Sequence, residues 1–306
     1  MSGDVAQVAL GGATDDARRV TQQVQFITRP DGGRLYAALT LPVGSEPSAV
    51  VLFCPPTFDE HSRAYPIMRE YARALAARGI GTLRFDYFAT GDSAGTSDQF
   101  TMSSAVGDVA FLLSWLGTRF PGVRIVPMAV RMGARLLLDA IVGQAGAALA
   151  GRLTAPVLWD PVVDVRSYVF NELRATLSGA LMVYGGQVVT REEIVKETLE
   201  TGFCERRGYK LNQVDGYPVT RELLREVGLA TETPEPWSYA EPVNVVITVR
   251  GATAAERPRT QLAALLPKME FRSNEDIPYW NQQPLYRQTR DKLFAIVDEF
   301  VTRCLS

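Results

Sequence analysis

The run "AVVLFC" at residues 49–54 is apolar on both of its alternating faces and stops at Pro55-Pro56. A strand of that kind is stable only inside a sheet covered on both sides, which implies parallel neighbours and helices packed on each face. The rest of the chain supplies them. A helical pattern over 64–79 places Ile67, Tyr71, Leu75 and Ala76 on one face and stops at Gly79. Strand "IGTLRFD", a glycine-rich turn "ATGDSAG", a helix over 103–116, strand "VRIVPMAV", a helix over 132–142 and strand "LTAPVLW" follow. Strand and helix alternating at this spacing mean βαβ units and a mainly parallel sheet.

Before that series, "VQFITR" and "RLYAALTLP" alternate as half-buried antiparallel strands around Asp31-Gly32-Gly33, giving an N-terminal hairpin at one sheet edge. After it, the pattern becomes helical, charged and strand-poor, then returns to strand with "VNVVITVR", helix "AAERPRTQLAALLP", strand "MEFRS" and a last helix over 288–304. The expected organisation is an α/β core of residues 1–163 and 236–306, with 164–235 inserted as a helical cap over the strand ends.

Composition narrows the function. At 306 residues, 46% hydrophobic and 22% charged, the chain can bury a large core, and no segment approaches the roughly 18 apolar residues of a membrane span. A net charge of −2 gives no electrostatic case for nucleic acid. The N-terminus lacks a basic start and apolar run, so the expected address is the cytoplasm. Three widely separated cysteines fit neither a disulfide framework nor a zinc site. No cofactor or metal is expected, and the oligomeric state is not encoded in any feature of the sequence.

In an open parallel sheet, ligands bind beyond the carboxyl ends of the strands. Four loops should meet there: "CPPTFDEHSR", "AVRMG", "WDPVVD" and "NEDIPYWNQ". At the apex of the second stands Arg131, where many hydrolases hold a serine in a Gly-x-Ser-x-Gly turn. A guanidinium stays protonated and attacks nothing, but it binds anions and stabilises developing negative charge. The usual histidine is missing from the last loop, and His61, the single histidine of the chain, lies near the first. Arg131, Glu60 and His61 are therefore the catalytic candidates, Glu60 and His61 as proton carriers. Asp59, Asp160 and Trp280 are candidates for lining the substrate pocket. Asp59 and Glu60 are also candidate ion-pair partners for Arg131. Asp86 reads as a residue that satisfies turn amides, and Cys54 as a core thiol.

These residues resemble the α/β-hydrolase superfamily along nearly the whole chain. More narrowly the sequence resembles the second hydrolase-like family of exosortase A systems. The motifs are Pro55-Pro56 with Asp59-Glu60, Arg84-Phe85-Asp86 with Gly91-Asp92-Ser93-Ala94-Gly95, Arg131 in place of the elbow serine, and Pro278-Tyr279-Trp280. Departures are Ala89 and Ala129 where glycines are expected, and Tyr279 in place of phenylalanine. The resemblance implies a substrate carried as an acyl or aminoacyl (thio)ester, with an acyl or peptidyl carrier protein as a possible partner. Three readings follow: an enzyme without a covalent intermediate that hydrolyses, cyclises or transfers such a group; a catalytically silent protein that binds a ligand or partner enzyme; and a serine hydrolase with a displaced nucleophile, Ser62 or Ser93.

Overall fold

The computed structural model describes residues 6–7, 20–149, 151–185, 189–231, 237–278 and 290–306. Among them runs a nine-stranded sheet: β1 (Ala6–Gln7), β2 (Val20–Thr28), β3 (Arg34–Pro42), β4 (Ala49–Cys54), β5 (Ile80–Phe85), β6 (Arg124–Val130), β7 (Val157–Trp159), β12 (Val243–Val249) and β13 (Met269–Glu275). The spatial order is β1-β2-β3-β5-β4-β6-β7-β12-β13. From β5 to β13 every pairing is parallel, whereas β1, β2, β3 and β5 pair antiparallel at the edge.

Strand β4 behaves as its composition requires, with all six residues buried. Its two faces feed two cores. Val50, Leu52 and Cys54 join a cluster with Val109, Leu112 and Leu116 of α2 (Met102–Arg119) and Leu136 and Leu137 of α3 (Gly133–Ala140). Ala49, Val51 and Phe53 point the other way, onto Ile67, Tyr71 and Leu75 of α1 (Asp59–Ala77) and Val297 and Phe300 of α9 (Asp291–Leu305). In that second core Phe53 meets Trp159 edge-on, with ring centroids 5.2 Å apart.

Helix α1 begins earlier than its apolar periodicity suggests. Asp59, Glu60 and His61 lie in its first turn rather than in a loop, and the two acids favour that end of the helix dipole. A π-helical turn, Ile141–Ala145, and the short α4 (Gly146–Ala148) follow α3. Between β7 and β12 lie α5 (Val165–Tyr184), α6 (Arg191–Thr201), two tight hairpins and α7 (Arg221–Glu226). The hairpins are β8 (Glu205–Arg206) with β9 (Tyr209–Lys210), and β10 (Gln213–Val214) with β11 (Tyr217–Pro218), within a stretch read from sequence as strand-poor. Helix α8 (Glu256–Leu265) connects β12 to β13.

Strand register brings the loops together. Cys54 pairs with Ala129, and Val130 with Trp159, so Pro55, Arg131 and Asp160 emerge at one level of the sheet. No helix of the described residues is long and apolar enough to cross a membrane.

Candidate active site at the strand ends

The chain leaves β6 through a sharp turn at Arg131, whose φ of 53° is left-handed. Its amide donates to the Trp159 carbonyl at 3.0 Å, and its own carbonyl accepts from Val162 and Ala134, each at 3.0 Å. Gly133 makes the turn possible, since a Cβ there would lie 2.4 Å from the Pro55 carbonyl oxygen and 2.8 Å from that of Cys54. Phe58, with φ 54°, and Asp160, with φ 46°, are also left-handed, so three strand-end loops carry strained backbone at the same level. Each such residue costs of order 1–3 kcal/mol, a cost that packing must offset and that is common around binding sites.

The Arg131 side chain is 19% exposed and Glu60 12%. Nε and Nη2 of Arg131 both lie 3.0 Å from Glu60 Oε1, and Nη1 donates to the Asp160 carbonyl at 3.1 Å. Tyr168 of α5 covers the guanidinium, with Cζ 5.7 Å from the ring centroid. Burial opposes the arginine's charge, but Glu60, Tyr168 and Asp160 together outweigh it and hold the group above its ordinary value. Glu60 Oε2 and the Tyr168 hydroxyl are both buried, and burial together with a hydrogen bond between the two side chains raises the tyrosine.

Asp160 is 5% exposed. Its Oδ1 accepts from the Thr248 amide at 2.6 Å, Oδ2 is buried, and the Thr248 side chain also hydrogen-bonds to the carboxyl. Burial pushes its carboxyl up to about 8, against the opposing pull of the Thr248 amide and of Arg131. A carboxyl shifted in this direction favours its protonated form, which has an O–H to donate. Arg131, Asp160 and Thr248 line one cavity of about 670 Å³, and Ser167 of α5 and Leu262 of α8 also line it.

A titration follows from this. An unfolded aspartate loses its proton near 4, whereas folded Asp160 keeps it to about 8. Between those values the folded chain holds a proton the unfolded chain has released, so this group's contribution to stability falls as pH rises and levels off above the window. Asp160→Asn, which keeps the Thr248 contact and cannot ionise, is expected to gain thermal stability relative to wild type steadily from pH 5 to pH 8.5. A melting-temperature difference independent of pH would contradict the assignment.

The remaining sequence candidates divide. Asp59 does not reach Arg131. It pairs with Arg63 one turn along α1, because its side chain leaves the helix on the solvent side. His61 Nε2 lies 3.0 Å from Asp86 Oδ1, and Asp86 Oδ2 also accepts from the Asp92 amide at 2.9 Å. Asp86 thus holds the turn, as its sequence context implies, and additionally orients the histidine. Ser62 is bonded to Asp59, and Ser93 to the Asp86 carbonyl and the Tyr36 amide. Cys54 is fully buried, and burial pushes its thiol far up. Tyr279 and Trp280 lie outside the described residues.

Two residues of this neighbourhood escaped sequence reading. Tyr168 and Glu172 stand one turn apart on α5, and burial together with the nearby Glu60 charge raises the Glu172 carboxyl. Only their i, i+4 spacing advertises a shared face. Among the described residues no group of three or more His, Cys, Asp or Glu is placed to hold a metal ion.

No family model matches the sequence, and no curated protein matches it. Solved structures do match the fold. Est1E of Butyrivibrio proteoclasticus, solved with ferulic acid bound, superposes with a TM-score of 0.61 at 14% identity over 92% of this chain and 99% of its own. An esterase of Pyrococcus furiosus gives 0.57 at 14% identity over 100% of both chains. Mouse alpha/beta hydrolase domain-containing protein 10 gives 0.55 at 14% identity over 92% and 98%. With this strand order, this elbow and these neighbours, the chain has the α/β-hydrolase fold.

Proposed function

We propose that the protein is an enzyme that acts on an acyl or aminoacyl (thio)ester, free or carrier-bound, without forming a covalent acyl intermediate. One observation carries the reading: a permanent cation, Arg131, and a buried carboxyl that burial pushes toward its protonated form, Asp160, line the same 670 Å³ cavity at the elbow. Arg131 and the Asp160 O–H stabilise the oxygen of the reacting carbonyl as it gains negative charge. Glu60, held against Arg131 through Oε1, accepts a proton from the attacking water, hydroxyl or amine. For hydrolysis of a thioester, water adds to the carbonyl carbon, the C–S bond breaks, and the thiolate leaves with the proton of Asp160. Residues 164–235 act as a cap, with Tyr168 laid over the guanidinium. The motif resemblance to the exosortase-associated family supports the acyl class of substrate and a carrier protein as its source.

A second reading, a catalytically silent ligand-binding protein, is favoured by the use of Nε, Nη1 and Nη2 of Arg131 within the fold. Acyl N-acetylcysteamine thioesters separate the two. Turnover by wild type, reduced at least about 100-fold in Glu60→Gln with binding retained, is the expected result. Binding without turnover in wild type would establish the silent reading. A fluorophosphonate probe is expected to leave the protein unlabelled, and stoichiometric labelling would restore the displaced-serine alternative.

A further inference from the structure

The opposite end of the sheet holds a second polar cavity. Arg124 opens β6, and its position lies roughly 20 Å from the elbow, the length of that strand. A cavity of about 370 Å³ there is lined by Arg124, by Arg152 from the segment before β7, and by Arg303 from the last turn of α9. Thr154, Asn244 and Cys304 complete its polar wall, and no acidic side chain of the described residues lines it.

The three guanidiniums are not equivalent. Arg303 is paired with Glu270. Arg124 donates to the Cys304 carbonyl at 3.3 Å, which places its charge at the negative end of α9. Arg152 is half-buried and donates to three carbonyls, those of Val123 at 3.2 Å, Gly117 at 3.1 Å and Phe120 at 2.9 Å. Gly117 and Phe120 end α2, so these carbonyls fix the guanidinium and offset part of its charge while supplying no carboxylate. A fixed, half-buried cation beside two further arginines is an arrangement that favours a doubly charged oxyanion, and guanidinium forks match phosphate geometry. Inorganic phosphate would fill a fraction of the volume, which leaves room for an organic body.

We propose that this cavity is a binding site for a phosphate dianion, free or as the monoester of a small molecule, separate from the elbow cavity and independent of the reaction proposed there. The test is thermal denaturation of the full chain in inorganic phosphate, in glycerol 3-phosphate and in chloride at equal ionic strength. Either phosphate at 10 mM is expected to raise the melting temperature by at least about 2 °C over chloride through preferential binding to the folded state. The increment should vanish in Arg124→Ala/Arg303→Ala. A shift confined to glycerol 3-phosphate assigns the monoester, and equal shifts assign the phosphate group alone. No shift in wild type, or an undiminished shift in the double variant, overturns the proposal. Should the double variant not fold, N-ethylmaleimide labelling of Cys304, the one cysteine of three that is not buried, decides in wild type. Labelling slowed at least about threefold by phosphate supports the site, and an unchanged rate refutes it.

Discussion

Arg131→Ala is expected to lower thioester turnover at least about 100-fold, the cost of losing a main stabiliser of oxyanion charge, and to destabilise the fold as well. The second effect arises because Glu60, 12% exposed, would keep its charge without the guanidinium that now contacts it through Nε and Nη2. Removing one partner of a largely buried pair costs about 3–5 kcal/mol. Alanine relieves none of the left-handed strain at this position, so no compensation comes from the backbone. Thermal denaturation should therefore show a melting temperature lower by about 5–8 °C. Adding Glu60→Gln to Arg131→Ala should recover most of that stability and none of the turnover, since it removes the stranded charge and restores no cation. Lysine at 131 should recover little, because an ammonium cannot span Glu60 and the Asp160 carbonyl as the planar fork does.

The second large effect is expected at Gly133. Alanine there would drive a Cβ to 2.4 Å from one backbone oxygen and 2.8 Å from another, both at the buried end of β4. Those oxygens belong to the centre of the sheet and cannot retreat without breaking its register. Gly133→Ala should cost about 3 kcal/mol or more, at or beyond the upper end of ordinary overpacking, and much of the protein should fail to accumulate in folded form. Gly107 supplies the contrast. It lies inside α2 with nothing within 4 Å of the added carbon, so Gly107→Ala should stabilise by about 0.5–1 kcal/mol. Parallel denaturation of the two variants tests whether the close approach of elbow and strand, rather than the loss of a glycine, sets the cost.

These two positions also mark what the sequence can convey. The elbow was legible because a buried strand, a tight turn and an amphipathic helix each leave a local pattern, and Arg131 stands at a fixed offset within them. The doubly covered sheet was legible in "AVVLFC", whose alternate residues face two separate cores. Glu60 was identified as a partner for Arg131, whereas the equally acidic Asp59 was separated from it only by the direction in which a helix projects neighbouring residues. That distinction required knowing that α1 starts at Asp59, and its polar first turn, "DEHSR", carries no apolar periodicity to reveal it. The His61–Asp86 contact and the cover supplied by Tyr168 join segments far apart in the chain. So does the contact of Asp160 with Thr248 of β12. Such features are tertiary, and residue spacing does not record them.

The proposed function requires that charge recognition replace nucleophilic attack at the elbow. Its most direct test is the intact mass of the protein after incubation with an acyl N-acetylcysteamine thioester, quenched in acid during turnover. Unmodified mass throughout, with free thiol released into solution, is the predicted result. A mass increase equal to one acyl group on wild type, mapped to any side chain and turned over with time, would contradict it.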